Sequence, residues 1–203
     1  MRVDIALITS ITIFFLFFVH YYTVPPVITV LSSEDILKFV PEAYAHPSDM
    51  PEKIVFAVKH VRGYTAIEFW YYWPYDGVIK KDDWEPVIVY TDGEHVLAVA
   101  HREHYVWRVN YNPLVNNTHV VVMFQYGFHT PYIQQPFPGW ERIRLPIMYE
   151  VPPKDVDVSK IVGWELSPTK SALYAAVMYS TLWSVLAYAV LAGVLGNRRF
   201  VRV

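Results

Sequence analysis

Three acidic side chains surround a tryptophan where a predicted strand begins, in the stretch KKDDWEPVIVY. They are Asp82, Asp83 and Glu85, and a charge that is removed from water needs a cation, a cluster of donors or a metal as its partner. Because side chains alternate between the two faces of a strand, Asp83 and Glu85 share a face with the valines further along. We therefore expect these two carboxylates at the mouth of a core, where they can bind a divalent ion.

Two histidines fall at the ends of two later predicted strands. His101 ends the strand Val96–His101, and His129 follows the strand Val120–Tyr126. Carboxylate oxygens and imidazole nitrogens together suit a divalent metal. The predicted metal site therefore comprises Asp83, Glu85, His101 and His129, with Ca, Mg or Zn as the bound ion. Two simpler interpretations stay open: His101 belongs to a polar turn, AHREH, and the acids bond to backbone amides or to a nearby lysine.

Short runs rich in β-branched and aromatic residues, separated by prolines, must position these side chains. The predicted strands are Ile54–Val61, Thr65–Trp73, Trp84–Tyr90, Val96–His101, Tyr105–Val109, Val120–Tyr126 and Ile143–Tyr149. Ser32 and Asp35 form a capping-box pattern that predicts a short helix, and Asp92-Gly93 predicts the tip of a hairpin. The fold class predicted for residues 25–170 is mainly β, a β-sandwich.

Two long apolar segments flank this domain. Residues 5–24, IALITSITIFFLFFVHYYTV, carry no Asp, Glu, Lys or Arg, and they end in tyrosines and prolines rather than in a small-residue cleavage site. This pattern favours a retained anchor over a cleaved signal peptide. The second segment, residues 171–195, contains neither charge nor proline and is followed by a basic tail, residues 196–203. Arginines in that tail predict a cytoplasmic C-terminus, and the pattern as a whole predicts a two-pass protein in the cell membrane, with both termini cytoplasmic and the outer domain extracytoplasmic.

Small residues recur every four positions along the second apolar segment, between residues 172 and 196, with Tyr188 as the only large member of the row. The small members are Ala172, Ala176, Ser180, Ser184, Ala192 and Gly196. Small residues let helix backbones approach closely, so this row is either a packing face for the first helix or for partner membrane helices, or a general feature of an alanine-rich span. The partners predicted here are the lipid bilayer and other membrane helices.

Composition excludes several classes of site. The chain of 203 residues has no cysteine, so neither a disulfide framework nor a thiolate metal site is available. Its formal charge of -2 gives no support for nucleic-acid binding, and no phosphate-binding loop or dinucleotide fingerprint is present. Asn116 begins a glycosylation sequon, Asn116-Asn117-Thr118, which agrees with an outside location.

Several segments, in their order, resemble known families. The stretches are ILKFVPEAYAHPSDMPEKI, FWYYWPYDG, KKDDWEPVIVY, VLAVAH and HVVVMFQYGFHTPY, which together extend from about Ile36 to Tyr132. They resemble the vacuolar-protein-sorting "sixty-two" family, including its His-Glu-Gly-Asp-Trp-Glu signature. The Asp-Trp-Glu core is also similar to that of the necrosis-inducing-protein family of secreted β-sandwich toxins. That second resemblance implies a divalent cation site used to bind membrane sphingolipid head groups.

The resemblance assigns Asp83 and Glu85 to the two signature acids, and His129 and His101 to the two histidines. Asp76 takes the place of a further acid. This chain departs from the pattern because the signature histidine falls on Lys80, its glycine on Asp82, and a serine on Phe128. A protonated lysine cannot ligate a metal, although it can neutralise the acids directly. Two alternatives follow: either the acids hold a divalent ion, or Lys80 replaces that ion with a salt bridge.

The leading functional hypothesis is a membrane-anchored extracytoplasmic binding protein that recognises a glycan, a lipid head group or a partner protein. Its predicted ligand-binding residues are Trp84, Tyr132 and Trp140, the last two from the aromatic loop TPYIQQPFPGW, which can equally pack down on the sandwich. The alternatives are a metal-assisted hydrolase with Glu85 or Asp83 as base, for which no nucleophile motif is visible, and an accessory subunit of a membrane complex.

Overall fold

The structure is a computed structural model that describes residues 5–23, 31–61, 63–77, 80–163, 166 and 168–197. The chain divides into two compact units. One consists of Met1–Val27 together with Ser167–Val203, and the other of Ile28–Leu166. The first contains the long helices and the second contains two β-sheets, so the described protein is mainly β with a few helices.

The larger sheet has six strands in the order β11-β2-β3-β4-β5-β6. Its strands are β2 (Lys53–Val61), β3 (Tyr64–Asp76), β4 (Lys80–Thr91), β5 (Val96–Glu103), β6 (Val106–Asn110) and β11 (Ile147–Tyr149). Neighbours are antiparallel except for β11, which runs parallel to β2. The strand with the clustered acids, β4, therefore lies inside the sheet, between β3 and β5, as the apolar character of both its faces predicts.

The smaller sheet has five strands, in the order β10-β1-β8-β7 with β9 also paired to β8. Its strands are β1 (Glu42–Ala45), β7 (Val115–Asn116), β8 (His119–Phe124), β9 (Pro131–Tyr132) and β10 (Glu141–Arg142). The predicted strand Ile143–Tyr149 is correct only at its end, because pairing with β2 begins at Ile147. Pro146 precedes that start, and a residue without a backbone N–H cannot donate to a ladder.

The main core lies between the two sheets. It takes Phe69, Tyr71, Trp73 and Val87 from the larger sheet, and Val120, Val122 and Phe124 from the smaller one, all at most 2% exposed. The other face of the larger sheet carries a second apolar cluster around Ile88 and Tyr90. Residues Val158 and Val162, from and just after the short helix α3 (Val158–Ile161), cover it. Two sheets that share one core confirm the predicted mainly β fold class and fit the predicted β-sandwich.

Local signals in the sequence predict two of the connections correctly. Helix α2 (Ser33–Leu37) begins with a full capping box, in which the Ser32 hydroxyl accepts from the Asp35 amide and the Asp35 carboxylate accepts from the Ser32 amide. Asp92-Gly93 lies in the turn between β4 and β5. There the Asp92 carboxylate accepts from the amides of Glu94 and His95, and Gly93 has a φ of +103°, which glycine adopts easily.

The helical unit contains α1 (Ile5–Thr23) and α4 (Pro168–Asn197). Among the described residues, one helix is long and apolar enough to cross a bilayer: Ala176–Val194, with a mean hydropathy of 1.6. The apolar part of α1, Ala6–Tyr22, is shorter than that criterion requires. The predicted pair of membrane spans is therefore supported in its second member only. Residue 24 and the basic tail from 198 to 203 lie outside the described residues.

Small residues bring the two long helices together. Ala176 and Ser180 of α4 and Ala6 and Ser10 of α1 are at most 6% exposed, and the Ser184 hydroxyl donates to the Ser10 carbonyl at 2.6 Å. Three members of the predicted row, Ala176, Ser180 and Ser184, thus lie at the contact with α1, whereas Ala192 is exposed and the packing of the row against partner helices stays a prediction. Close packing of small residues with a hydrogen bond across the contact is the usual way in which apolar helices associate without a hydrophobic driving force.

Candidate functional site

A buried histidine lies between two aspartates at one end of the sandwich. Nδ1 of His129 is 2.9 Å from Oδ2 of Asp83, and Nε2 is 3.1 Å from Oδ1 of Asp49. The side chains of His129 and Asp83 are 2% and 1% exposed, and that of Asp49 is 13% exposed. Both ring nitrogens can donate only when the imidazole is protonated, so the geometry describes an imidazolium that neutralises two carboxylates.

The turn after β8 aims His129 at this place. The His129 amide donates to the Gln125 carbonyl at 2.9 Å, the Gln125 amide donates to the Thr130 carbonyl at 3.0 Å, and His129 itself has a φ of +50°. A side chain other than glycine is uncommon in this left-handed region, and such conformations concentrate at functional sites. The closed turn replaces a continuing strand, and it directs the imidazole back toward the larger sheet.

Asp49 is fixed by its own backbone as well as by its side chain. Its carbonyl accepts from the Trp73 indole N–H at 3.1 Å, and its second carboxylate oxygen accepts from the Gly127 amide at 2.6 Å. Asp49 thus connects the loop after β1 to strand β3 and to the turn that carries His129. Sequence reasoning missed this residue, although it lies in the His-Pro-Ser-Asp turn of the first stretch that resembles known families.

A third carboxylate completes the group. Asp76, Asp83 and His129 each offer a ligand atom, and these atoms all lie within 4.8 Å of one another. Asp76 ends β3 and is followed by Gly77, which has a φ of +28°. A β-carbon at Gly77 would lie 2.6 Å from the Gly127 carbonyl oxygen, a distance that β-carbons in real proteins essentially never show. The absence of a side chain at Gly77 therefore lets the end of β3 meet the histidine turn.

The environment shifts the titration of the histidine. Burial lowers the pKa of His129, but its hydrogen bonds and charge interactions with Asp83 and Asp49 outweigh burial, so the net pKa is raised above the ordinary value of 6.5. The ring also lies flat against Trp73, with ring centroids 4.4 Å apart and an interplanar angle of 6°. An imidazolium on an indole face gains further from the electrons of the ring.

The structure brings together two of the four predicted metal ligands, Asp83 and His129, with Asp76 as the third member. Glu85 shares the face of Asp83 but stands opposite Tyr71, one pleat further along β4, and it is not a member of the group. His101 is also outside it, because its cross-strand partner is Val87, four residues beyond Asp83. At about 3.3 Å per residue that offset is roughly 13 Å along the strand.

His101 belongs instead to the sandwich core. It is 9% exposed, and burial lowers its pKa to about 4 despite the nearby carboxylate of Glu103. Its Nδ1 has no hydrogen-bond partner among the described residues. A neutral imidazole on the inner face of β5 is a packing residue here, so the predicted convergence of the two histidines on one site is not observed.

The other predicted residues divide between the faces of the sandwich. Trp84 lies on the opposite face of β4 from Asp83 and packs against Tyr72, with ring centroids 4.8 Å apart. The alternation of side chains makes this separation unavoidable. The side chain of Lys80 lies outside the described part of the chain, so its predicted salt bridge to the acids stays a prediction. Tyr132, on β9, donates its hydroxyl to Gln125 at 3.3 Å.

Aromatic side chains form a contiguous surface beside the acidic group. His46 contacts Tyr126 and Trp140, with ring centroids 4.7 and 5.3 Å apart, and Trp140 in turn contacts Phe137 at 5.4 Å. We call these four residues the aromatic face. Tyr126 and Phe137 are 55% and 53% exposed, whereas the Trp140 indole donates to the Phe124 carbonyl at 3.0 Å and is anchored to the sandwich. The same loop, residues 46–49, supplies His46 to this face and Asp49, which contacts His129 of the acidic group.

The sequon residues take part in internal contacts. The Asn116 amide donates to Oε2 of Glu42 at 2.9 Å, and the Thr118 hydroxyl donates to the Lys38 carbonyl. The predicted glycosylation of Asn116 stays a prediction. The side-chain amide of Asn116 has a structural role, because it donates a hydrogen bond to the carboxylate of Glu42, a residue that is only 9% exposed.

Comparison with known protein families and with curated proteins finds no match. Solved structures do match: a complex of NLPPya with glucosamine has a TM-score of 0.51 at 13% identity, over 62% of this chain and 75% of that chain. A complex of NLPPya with mannosamine has a TM-score of 0.50 at 14% identity, over 62% and 76% of the two chains. A third structure, titled "Toxin fold for microbial attack and plant defense", has a TM-score of 0.50 at 13% identity, over 62% and 76% of the two chains.

These neighbours are toxin-fold proteins of the necrosis- and ethylene-inducing kind, which agrees with the second resemblance. The resemblance to the vacuolar-protein-sorting family stays a prediction. The chain shares the fold of these toxin-like proteins.

Proposed function

We propose that the β-sandwich is a binding module whose acidic group, Asp76, Asp83 and His129, holds a divalent cation next to the aromatic face, where a glycan or a lipid head group docks. The observation that carries this proposal is the convergence of these three side chains to within 4.8 Å of one another. They come from two adjacent strands and a turn, and two of them are almost fully buried.

The donor set fits a divalent cation. Carboxylate oxygens are the ligands that Ca²⁺ and Mg²⁺ prefer, and an imidazole nitrogen is acceptable to Zn²⁺. Both His129 nitrogens already contact carboxylates, so a cation would compete with the imidazolium for Asp83. Asp49 would then keep the imidazole in place through Nε2. The bound cation would supply a positive centre that polarises hydroxyl groups of a ligand.

The aromatic face suits the remainder of such a ligand. Exposed rings with polar edges offer a flat, weakly polar surface, on which the C–H groups of a sugar ring can pack. Two of the structural neighbours are titled as complexes with the amino sugars glucosamine and mannosamine. In this chain an ammonium group on a sugar would find the carboxylates of Asp49 and Asp76 near the same edge of the sandwich. A glycan, and an amino sugar in particular, is therefore the ligand class that we propose.

The helical unit would hold this module at a membrane. Ala176–Val194 is long and apolar enough to span a bilayer, and we propose that α1 inserts beside it through the small-residue contact already described. This arrangement would place the sandwich on the outer side, with the arginines after α4 in the cytoplasm. A module anchored in this way would meet glycans or lipid head groups of the same or a facing membrane.

Cation binding can be tested on the full chain in a non-ionic detergent. After removal of metals with EDTA, calorimetric titration with Ca²⁺, Mg²⁺ and Zn²⁺ should reveal one bound ion per chain for at least one of them. Asp76→Asn and Asp83→Asn should each weaken binding at least tenfold, whereas Glu94→Gln, which changes an exposed hairpin carboxylate, should have no effect. Absence of binding in the wild-type chain would refute the metal part of the proposal.

Sugar binding is tested separately, with glucosamine as the probe. Phe137→Ala removes an exposed ring of the aromatic face and should weaken binding several-fold, whereas Tyr105→Ala removes a ring that is 89% exposed elsewhere and serves as the matched control. Equal affinities for both variants would show that the aromatic face does not contact the sugar. Repeating the glucosamine titration without the cation shows whether the acidic group and the aromatic face bind the sugar together.

A further inference from the structure

A groove with two arginines runs along the open edge of the smaller sheet, separate from the acidic group. It has a volume of about 510 Å³ and is lined by Met50, Pro51 and the segment Glu141–Leu145. Strand β10 lies at the end of the strand order, so one side of this segment has no strand beside it among the described residues. We infer that this groove binds a phosphate group through Arg142 and Arg144.

Arg142 is held in place by the carboxylate of Glu42, both of whose oxygens accept hydrogen bonds from other side chains. Its Nη1 lies 3.2 Å from Oε1 of Glu42, which also accepts from the Tyr44 hydroxyl at 2.9 Å, while Oε2 accepts from Asn116 at 2.9 Å. The pKa of Glu42 is lowered, first by the hydrogen bond from Asn116 and then by that from Tyr44. Glu42 therefore stays ionised and orients the guanidinium, whose remaining N–H groups are available to a ligand.

Arg144 supplies a positive charge that no carboxylate neutralises among the described residues. Its side chain is exposed. Guanidinium groups bind phosphate and carboxylate oxygens through two parallel hydrogen bonds, so two arginines at one groove form a suitable pair for such a group. Glu141 also lines the groove, and its negative charge would weaken an anion's binding.

The backbone adds a further donor along the same edge. The Ile143 amide donates to the Ala43 carbonyl at 2.8 Å, which shows that Ile143 faces β1. Because successive residues of an antiparallel strand point their N–H groups in opposite directions, the amide of Arg142, the last residue of β10, faces away from β1, toward the open side. Ile143 and Leu145 pack partly on the core and give the groove an apolar wall, which suits a ligand with a non-polar part beside its anionic group.

Two probes distinguish a free anion from a lipid head group. Inorganic phosphate and dihexanoyl phosphatidic acid are titrated calorimetrically into the full chain in non-ionic detergent, with dihexanoylglycerol as the probe that lacks phosphate. Both phosphate-bearing probes should bind and the neutral one should not. Binding of the lipid alone would assign the anion to a lipid head group, and binding of both with mutual competition would assign it to the phosphate itself.

Substitutions test the residues. Arg144→Gln lies outside the Glu42 network, so it should leave the fold intact and weaken binding about tenfold, the loss expected for a charge-assisted pair of hydrogen bonds. Glu141→Gln should strengthen binding, because it removes the opposing charge. Arg108→Gln is the matched control, since Arg108 is an exposed arginine that pairs with Glu103 on the other sheet. Failure of both phosphate probes to bind, or equal losses for Arg144→Gln and Arg108→Gln, would overturn the inference.

Discussion

The His129 imidazole lies parallel to the Trp73 indole, with ring centroids 4.4 Å apart, while each of its nitrogens faces an aspartate. Three contacts of two kinds thus favour the protonated ring: two ion pairs and the face of an aromatic ring. The arrangement connects the turn after β8 to both β3 and β4, so it ties the two sheets together at this end. Protonation of His129 is therefore part of what stabilises the metal-free fold.

The first prediction concerns stability above neutral pH. The pKa of His129 is raised in the folded protein, so the folded state binds the proton more tightly than the unfolded chain. The stabilisation is fully present below the unfolded value of 6.5 and is lost as the pH rises through the raised, folded value. Urea unfolding of the full chain in EDTA, followed by tryptophan fluorescence, should show a midpoint that falls as the pH rises from 6.5 through the raised pKa and then levels off. His129→Gln should remove this slope, and an unchanged slope in that variant would contradict the assignment.

The second prediction has the opposite sign and concerns His101. Burial lowers its pKa to about 4, so the unfolded chain takes up a proton that the folded core does not accept. Stability contributed by the neutral ring is present above pH 6.5 and is lost as the pH falls toward 4, by roughly 3 kcal/mol in total. His101→Gln should flatten the acid limb of the stability curve relative to the wild type. If the two curves run parallel below pH 6.5, the ring is not buried as described.

The third prediction compares two glycines. Gly77 and Gly139 both have positive φ angles, +28° and +91°, so alanine at either position is strained. Only at Gly77 would the new methyl group meet backbone, at 2.6 Å from the Gly127 carbonyl oxygen, whereas nothing lies within 4 Å at Gly139. Gly77→Ala should therefore cost about 2 kcal/mol more in unfolding free energy than Gly139→Ala. It should also weaken binding of the cation identified by titration, because Asp76 would move.

Equal costs for the two glycine variants would show that the contact between the end of β3 and the histidine turn can relax freely. A loss of stability without a loss of cation affinity would instead show that Asp76 does not depend on this contact. The control matters because backbone strain alone affects both variants.

The fourth prediction concerns a buried ion pair on the other face of the larger sheet. Glu68 is fully buried, with the Lys59 ammonium 2.9 Å from Oε1 but not aligned as a hydrogen bond, and the Trp70 indole donates to Oε2 at 3.1 Å. Lys59→Met leaves this carboxylate without its cation and should cost about 3 kcal/mol. The double variant with Glu68→Gln should recover much of that loss, because no uncompensated charge then remains.

Lys59 also contacts Asp155, which is 97% exposed, so Asp155→Asn should change stability by less than about 1 kcal/mol. The unfolding free energies of four chains give the interaction energy between Lys59 and Glu68 directly. These chains are the wild type, Lys59→Met, Glu68→Gln and the double variant. An interaction energy near zero would show that Lys59 and Glu68 do not form a coupled pair in solution.

Local rules in the sequence determined much of this protein. Period-two alternation with β-branched and aromatic residues predicted β2 to β6 and β8, and Ser32 with Asp35 predicted the capped helix. Alternation along β4 also placed Asp83 on the inner face, and the lengths of the apolar runs indicated both long helices. These features depend on side chains within a few residues of one another, so the printed sequence contains all the information they need.

Only the tertiary structure decided which side chains meet. Asp49, Asp83 and His129 are separated by 34 to 80 residues, and they converge because a left-handed turn directs the imidazole back while Gly77 lets that turn approach β3. The sequence suggested His101 equally well, yet strand register places it beside Val87, within the core. Register and loop direction follow from packing between distant segments, and for that physical reason no local pattern reveals them.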